Sequence, residues 1–580
     1  MKQTKPKMAC DLIMKGGTTS GTLYPKAIQE IMKKYRLVNI GGTSAGAIAA
    51  AAAAAAEKGR AAGFEQKLDK LAEDLPKKLL SFFQPRQESR FLFDIGLAWL
   101  DRKNKWDFLR RLTNLWAKQY PIGACTLIPL VACSAGVSGV GVVVALGWAL
   151  SDWSGLLWAW GSVILILASI LCGIAWLVIS AFRTYKLAEQ QLSSSHGFGI
   201  CPGAKQDWAD TPAFTDWFSD RLNDLSGLAG RDKPLTFGDL AGPNAIEGSP
   251  TINLIMMTTS ITDGGLVKVP FDARDRYLFR EADWTGKIPQ SVLYWMIQQS
   301  ERILLPGTKD DEPYYFLPSQ ENLPVILAVR MSMSFPLLFT TTTLYRFRGE
   351  EQQPLKVVFT DGGVTSNFPI HFFDNIWPSR PTFGITLDRT DSKKATALVP
   401  KFGTEVTTNS PRDLRRVGDF VSALLSTMQD WTDDQQSSLL SAQQRIVHIP
   451  LLQEEGGLNL TMPEERIKRL IERGQQAGEK FGEFDEDQHR WTRYVSSIIS
   501  FAEAQAKMQE AWNNGDNNGR LSLHRFVEDY VAHGNAQGQS VEWQEQAREF
   551  ATHLVSYLNV ADQIHPQPGH DVNVRIVSDT

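Results

Sequence analysis

LVNIGGTSAGAIAAAAAAAAEK, residues 37 to 58, joins a short apolar run to an alanine-rich one through a glycine-flanked serine. Leu37 to Ile40 suits a strand, while Ala45 to Glu57 is almost all alanine, the residue with the best intrinsic helix propensity. Between them Gly42-Thr43-Ser44-Ala45-Gly46 fits G-x-S-x-G, the strand-to-helix elbow that exposes a serine hydroxyl on a strained turn. Small residues on either side let strand and helix approach, and a helix N-terminus beside Ser44 favours negative charge. The competing reading is a glycine-rich βα turn whose serine only caps the helix.

Upstream, Met8 to Met14 reads as a buried strand, followed by the loop Lys15-Gly16-Gly17-Thr18-Thr19-Ser20-Gly21 and a helix from Pro25 to Lys34. Backbone N–H groups in such a loop can hold an anion, which beside a nucleophilic serine would be an oxyanion. A phosphate loop of the Walker type is excluded, because the lysine precedes the glycines and no G-K-[ST] follows.

The chain of 580 residues can hold more than one folding unit. Its 60 basic and 64 acidic residues leave a net charge of −4, so nothing in the charge balance points to nucleic acid. Five cysteines, with Cys125, Cys133 and Cys172 inside apolar runs, argue against a secreted disulfide framework and for a reducing compartment. The first residues, MKQTKPKMACDLIMKGG, lack the apolar core of a secretory signal.

From Phe64 to Lys118 charged and apolar residues alternate at helical spacing, with Arg110, Arg111 and Lys118 near the end, as in a helix lying at a membrane interface. Then come two uncharged apolar runs, Ile122 to Leu150 and Leu156 to Phe182, each longer than the roughly 20 residues that a bilayer core requires. Trp148, Trp153, Trp158 and Trp160 gather about the turn Ser151–Gly155 like an interfacial aromatic belt. Basic residues precede and follow the pair, Arg183 and Lys186 on the far side, and none lies in the turn. By the positive-inside rule both ends face the cytoplasm. Small residues at Ala132, Ala135, Gly136 and Gly139 suit close helix contact. The expectation is a transmembrane hairpin inserted into a single cytoplasmic domain.

Downstream, helical Thr211 to Leu228 leads to PLTFGDL. Strand-like Ile252 to Ser260 and Leu266 to Phe271 flank Thr262-Asp263-Gly264-Gly265, a hairpin-turn signal that gives Asp263 a local structural task. Leu323 to Phe339 carries helix-like AVRMSMSFPLLF. A short strand, Lys356 to Thr360, then runs into Asp361-Gly362-Gly363-Val364-Thr365-Ser366-Asn367-Phe368-Pro369, where no second strand follows. A carboxylate at a strand end beside glycines can reach into a site and take a serine's proton. Read alone, the segment fits a turn-capping aspartate equally well.

KGGTTSG, GTSAG, PLTFGDL, RMSMSFPLLF and DGGVTSNFP, in that order, resemble the patatin-like phospholipases. The resemblance spans Met8 to Leu452, interrupted by the apolar insertion. It implies an α/β fold, a three-layer patatin-type hydrolase domain that cleaves lipid acyl esters with a serine–aspartate dyad. Ser44 would be the nucleophile and Asp361 the base, without a third catalytic group. Gly16, Gly17 and Thr18 would form the oxyanion hole, with Gly21, Gly42, Gly46, Gly362 and Gly363 as motif glycines. Thr18 stands where the family's G-x-G-x-x-G has its middle glycine.

A histidine triad would need His371 in FPIHFFD or His448 in RIVHIP, and both read more simply as packed residues. No H-E-x-x-H or Cys/His spacing suggests a metal, and no cofactor is implied. Beyond a polar stretch at Thr390–Pro411, Asp413 to Gln429 reads as an amphipathic helix. Thr461-Met462-Pro463-Glu464 has capping-box spacing before a helix ending near Gly482. A helical C-terminal appendage, broken near Asn513–Asp516, would pack on the catalytic domain or meet a partner or second copy. The expected organisation is residues 1–63 and 183–455 as two parts of the catalytic domain, 64–120 as amphipathic insertion, 121–182 as hairpin and 456–580 as helical tail. Glycerophospholipid is the expected substrate. The rivals are a non-catalytic membrane scaffold and a membrane-damaging lipase held off until a signal arrives.

Overall fold

Alternation of buried side chains along β1 (Met8–Met14) divides the domain into two sides: Cys10, Leu12 and Met14 join the main core, while Ile13 joins a small cluster with Phe368, Ile370, Phe373 and Ile446. In the computed structural model the described residues are 6, 8–17, 20–100, 104–120, 153–193, 196–242, 251–272, 274–304, 313–347, 353–374, 377–390, 396–399, 444–452, 455, 459–513, 549 and 553. The remaining strands are β2 (Tyr35–Thr43), β3 (Gly199–Cys201), β4 (Asn253–Ser260), β5 (Gly265–Val269), β6 (Leu278–Arg280), β7 (Arg302–Ile303), β8 (Tyr314–Phe316), β9 (Leu337–Phe339), β10 (Thr342–Arg346), β11 (Leu355–Asp361), β12 (Thr382–Arg389) and β13 (Ile446–Leu451). They form a mixed sheet in the order β13-β12-β1-β2-β4-β11-β10-β6-β8-β7, with β5 on β4, and a separate pair β3-β9. Pairing is parallel from β13 to β4 and antiparallel beyond.

The register on β4 positions everything that follows. Met256 pairs with Gly42 of β2 and with Val269 of β5, and Thr258 pairs with Val267 of β5 and with Asp361 of β11. Since β5 occupies one edge, β2 and β11 share the other, and they approach each other head to head. Thr43, the last residue of β2, stands opposite Met257, and Asp361, the last of β11, stands opposite Thr258. Two chain segments more than three hundred residues apart in sequence thus end at consecutive positions of one strand.

Helices α1 (Tyr24–Lys34) and α2 (Ala45–Lys58) pack on the main-core side. All of α2 except Ile48 and Lys58 is buried, as expected of a helix that is apolar all round. Its alanines let it lie between the sheet, α1 and α3 (Phe214–Leu225). The AVRMSMSFPLLF stretch is helical only over α4 (Val325–Ser332), because Pro336 cannot continue a helix and the chain turns into β9. The Asp263 hairpin forms between β4 and β5 as the sequence predicts, and Ser260 Oγ donates to its carboxylate at 2.8 Å.

One expectation about the tail is corrected. The helix after Thr461, α5 (Glu464–Phe481), starts behind Pro463 without a side-chain cap, so the Thr461 capping box does not form. A capping box does form in PLTFGDL, where Thr236 and Asp239 exchange hydrogen bonds. Helix α5 packs on the catalytic domain: a Cβ on Gly474 would lie 2.1 Å from the Leu23 carbonyl, and one on Gly478 would lie 2.6 Å from that of Ala27. Two glycines seat α5 directly on α1. The next helix, α6 (Glu486–Asn513), is held by Arg493, which shares the Asp374 carboxylate with fully buried Arg445.

Of the insertion, helices at Arg90–Leu100 and Lys105–Gln119 and a 39-residue helix, Trp153–Gln191, are described. The long helix outruns the expected end at Phe182. Trp176 and Ser180 are buried, and Thr184 Oγ1 accepts from the Trp116 indole N–H at 2.9 Å. Its other faces expose Ile164, Leu167, Leu171, Ile174, Val178 and Phe182. Within it, Ile170–Gln191 is long and apolar enough to cross a membrane. The first expected span, Ile122–Leu150, and the expected helix at Asp413–Gln429 lie outside the described residues.

Candidate active site

Ser44 sits between β2 and α2 with φ 52° and ψ −124°, a conformation that costs a non-glycine residue on the order of 1–3 kcal/mol and persists only where its surroundings enforce it. The enforcing contacts are visible. A Cβ on Gly42 would lie 2.3 Å from the Gly46 carbonyl oxygen, and one on Gly46 would lie 2.1 Å from that of Met14. Both motif glycines are therefore obligatory for packing, which is why the serine is flanked as it is. The Ser44 N–H donates to Ser332 Oγ at 3.0 Å, and Thr43 Oγ1 donates to the Asn367 carbonyl at 3.0 Å.

Asp361 ends β11 with its N–H donating to the Ser334 carbonyl at 3.0 Å. Its Oδ1 accepts the Gly363 N–H at 2.8 Å, and a Cβ on Gly362 would lie 2.3 Å from the Met257 carbonyl. Burial pushes the carboxyl up to about 7, against the smaller lowering effects of the Gly363 N–H and the Ser44 hydroxyl. Oδ2 is buried without a hydrogen bond of regular geometry. The serine hydroxyl thus stands beside the carboxyl in a looser contact than a formed hydrogen bond, as is common in catalytic pairs without substrate.

The glycine loop closes the third side. A Cβ on Gly16 would lie 3.1 Å from Ser44 Cβ, and one on Gly21 would lie 3.0 Å from Ala45 Cβ. The Gly16 N–H, however, donates to the Asn367 carbonyl at 2.9 Å. Its expected part in an oxyanion hole does not fit this arrangement, because the donor is already engaged. Gly17 remains in the loop, where its carbonyl accepts from Gly21, and Thr18 lies outside the described residues.

The described structure therefore brings Ser44, Asp361, Gly16, Gly21, Gly42, Gly46, Gly362 and Gly363 into one neighbourhood. It adds Ser332 and Asn367, whose roles have no signal in the sequence beyond their presence inside RMSMSFP and TSNFP. Asn367 meets three loops at once, since its Oδ1 also lies 2.1 Å from a Cβ built on Gly16 and 2.9 Å from one built on Gly363. His448 Nδ1 pairs instead with Asp388 at 2.5 Å, and the His371 ring packs on Phe372. Among the described residues no His, Cys, Asp and Glu cluster could hold a metal.

Residues 252–374, which include Asp361 and its glycines, match the family described as patatin-like phospholipase, so the chain carries a patatin-like phospholipase domain. Over 566 residues it is 31% identical to the RpoH suppressor of Rhizobium meliloti (strain 1021), covering 84% of this chain and 85% of that one. The chain belongs to the same family as that protein. It is also 29% identical over 179 residues to the uncharacterized protein YqhO of Bacillus subtilis (strain 168), covering 31% of this chain and 52% of that one. Among solved structures, VipD from Legionella pneumophila is similar at 12% identity and a TM-score of 0.30, covering 96% of this chain and 87% of that one. ExoU, solved in complex with SpcU from the type III secretion system of Pseudomonas aeruginosa, belongs to an assembly matched at 13% identity and a TM-score of 0.23, with 96% and 69% covered.

Proposed function

We propose that the chain is a membrane-anchored serine hydrolase that cleaves the carboxylic ester bonds of glycerophospholipids through a Ser44–Asp361 dyad. The observation that carries this reading is the head-to-head ending of β2 and β11 on β4, which sets a strained serine beside a buried carboxyl whose pKa is raised to about 7. A base with that pKa is poised to exchange protons near neutral pH.

In the first half-reaction Asp361 takes the Ser44 proton as Oγ attacks the ester carbonyl. Backbone N–H groups of the glycine loop receive the oxyanion, together with the positive end of α2. Collapse expels the lysolipid alkoxide, which leaves with the proton held by Asp361. Water, deprotonated by Asp361, then attacks the acyl-enzyme and releases fatty acid. The exposed aliphatic side of Trp153–Gln191 supports anchoring, with Ile122–Leu150 as the second span and the catalytic domain on the cytoplasmic side.

The test is fatty-acid release from mixed phospholipid and glyceride vesicles by the detergent-purified protein. Ser44→Ala and Asp361→Asn are each expected to lower the rate by about 10⁴-fold or more, as removing a nucleophile or its base does. The wild-type rate is expected to rise with pH through about 7 as Asp361 ionises. Equal release by wild type and both variants would refute the dyad. Release by none of them, in the presence of cell extract as well as without it, would favour the scaffold.

A further inference from the structure

Three non-glycine residues among those described have a positive φ: Ser44, Phe198 at 51° and Leu337 at 68°. The serine has a use for its strain. The other two are large apolar residues, 45% and 60% exposed, so burial does not offset the cost of their backbone conformations. They are neighbours, because β3 begins at Gly199, immediately after Phe198, and Gly199 pairs with Leu337 of β9. Leu337 belongs to Phe335-Pro336-Leu337-Leu338, four consecutive apolar residues of which Pro336 and Leu337 are exposed and the outer two half-buried. A surface run of this kind is out of place in water unless it has a function.

The turn is rigid and tied to the active site. The Phe339 N–H closes it on the Phe335 carbonyl at 3.0 Å. Directly before it, the Ser334 carbonyl accepts the Asp361 N–H and Thr360 Oγ1, and Ser332 Oγ accepts the Ser44 N–H. Only Phe335 and Pro336 thus separate the residue whose carbonyl holds the Asp361 backbone from the exposed Leu337. Before the other strand, six residues separate Gln191, the end of the long apolar helix, from Phe198.

Behind the turn lie cations that have no carboxylate bonded to them. Arg330, fully buried, donates to the carbonyls of Pro202 and Thr340 and to the hydroxyls of Ser334 and Thr340. Arg86 donates to the His196 carbonyl at 2.9 Å and keeps Nη1 without a partner. Lys287 donates to the Thr341 carbonyl at 2.9 Å, and Asp283, the acid acting on it, is already bonded to Arg280 and Tyr345. Arg86 and Arg330 around residues 196–203 and 340–341 give this side of the molecule a positive field, offset in part by Glu88 beside Arg86, while burial lowers the Lys287 ammonium to about 7 and limits its share.

We propose that Phe198 and the Phe335–Leu338 turn form an apolar prong that enters the surface of an anionic lipid bilayer at the mouth of the active site, with Arg86 and Arg330 supplying the attraction to its headgroups. The inference rests on the reading of Ser44 and Asp361 as a lipid hydrolase. Lipid is the occupant that suits both halves of the surface, apolar tips and positive backing, and the apolar helix precedes the same strand in the chain. Docked this way, the prong lifts an acyl ester out of the leaflet beside Ser44.

The experiment uses the full chain reconstituted in vesicles of non-hydrolysable ether phosphatidylcholine, with or without ether phosphatidylglycerol, and hydroxyl-radical footprinting read by mass spectrometry. Adding the anionic lipid is expected to lower oxidation of Phe198 and Leu337 several-fold and to leave exposed Trp491 on α6 unchanged. Equal oxidation of Phe198 and Leu337 in the two vesicles overturns the proposal. This readout does not depend on activity, so an inactive dyad would sink the hydrolase reading and leave the footprint to decide the prong. Kinetics give a second reading. Leu337→Gly relieves the positive φ and removes the apolar tip, so its folding is preserved. It is expected to cut hydrolysis of anionic vesicles about tenfold while leaving hydrolysis of a soluble short-chain ester unchanged. Equal loss on both substrates would mean that Leu337 serves the site's structure, and would overturn the proposal.

Discussion

Helix α2 and helix Trp153–Gln191 are both apolar around most of their circumference, yet one is sealed inside the protein and the other stands largely outside it. The difference lies in side-chain size. The alanines of α2 let its backbone approach β1, β2 and β4 closely enough for Gly46 to touch the Met14 carbonyl. Among the described side chains of the long helix, Ile164, Leu167, Leu171, Ile174, Val178 and Ile179 are exposed, while Trp176, Ser180 and Gln191 are covered. Apolar content says that a helix avoids water. Residue volume says what it packs against, and bulky aliphatics without protein partners suit lipid.

Glycine-to-alanine changes break this comparison most sharply. Gly46→Ala would put a methyl group 2.1 Å from a backbone oxygen, with no flexible side chain able to yield. We expect a loss of about 3 kcal/mol or more, read as failure to express or a collapsed melting transition. Gly173→Ala in the long helix meets nothing within 4 Å and is expected to leave folding unchanged or gain about 0.5 kcal/mol from helix propensity. Similar losses at both sites would show that the long helix is packed in protein after all.

A second contrast uses the charge at the buried end. The folded pKa of Asp361 lies above its ordinary value of 3.8, so folding favours the protonated form. The sign follows: that stability is present below about pH 4 and is lost as pH rises through about 7. Asp361→Asn removes the penalty. It is expected to be more stable than wild type by roughly 1–4 kcal/mol at pH 8, with the gap closing at pH 4 to 5. Chemical denaturation at the two pH values checks this, and a gap that does not change with pH would contradict the raised pKa.

Packing gives the third. Ala53→Leu overfills a site with no exposed surface and is expected to cost about 1–3 kcal/mol. Leu171→Ala, at 65% exposure, is expected to stay within about 0.5 kcal/mol when unfolding of the catalytic domain is measured in detergent.

How much of this was legible beforehand follows the same division. Strands β1, β4 and β11 and helices α1 and α2 fall within a residue or two of their sequence patterns, because local period and glycine placement decide them. Ser44 and Asp361 could be singled out one by one. Their meeting could not be read, since it depends on β2 and β11 sharing one edge of β4, a long-range register that no local pattern encodes. For the same reason the engagement of the Gly16 N–H by Asn367 was invisible: the acceptor is a backbone carbonyl 351 residues away, in a segment whose side chains alone were being read. The Thr461 capping box failed because the N-cap position is taken by Pro463, which has no side-chain acceptor, and the helix begins at Glu464.

A contrast of two single hydrogen bonds is the most diagnostic, because it separates support of the chemistry from support of the fold. Ser332 Oγ accepts the Ser44 N–H at 3.0 Å in a fully buried position, and Thr184 Oγ1 accepts the Trp116 indole N–H at 2.9 Å on the long helix. Ser332→Ala and Thr184→Val each delete one such acceptor, and each is expected to cost about 1 kcal/mol of stability. Only the first should reach the reaction. An unanchored Ser44 amide lets the strained elbow relax, so Ser332→Ala is expected to lower kcat on a soluble ester about tenfold with KM nearly unchanged, whereas Thr184→Val leaves both as they are. A loss of kcat in both variants would mean that the outer helices and the elbow form one mechanical unit. No loss in either would mean that the strain at Ser44 is held by Gly42 and Gly46 alone.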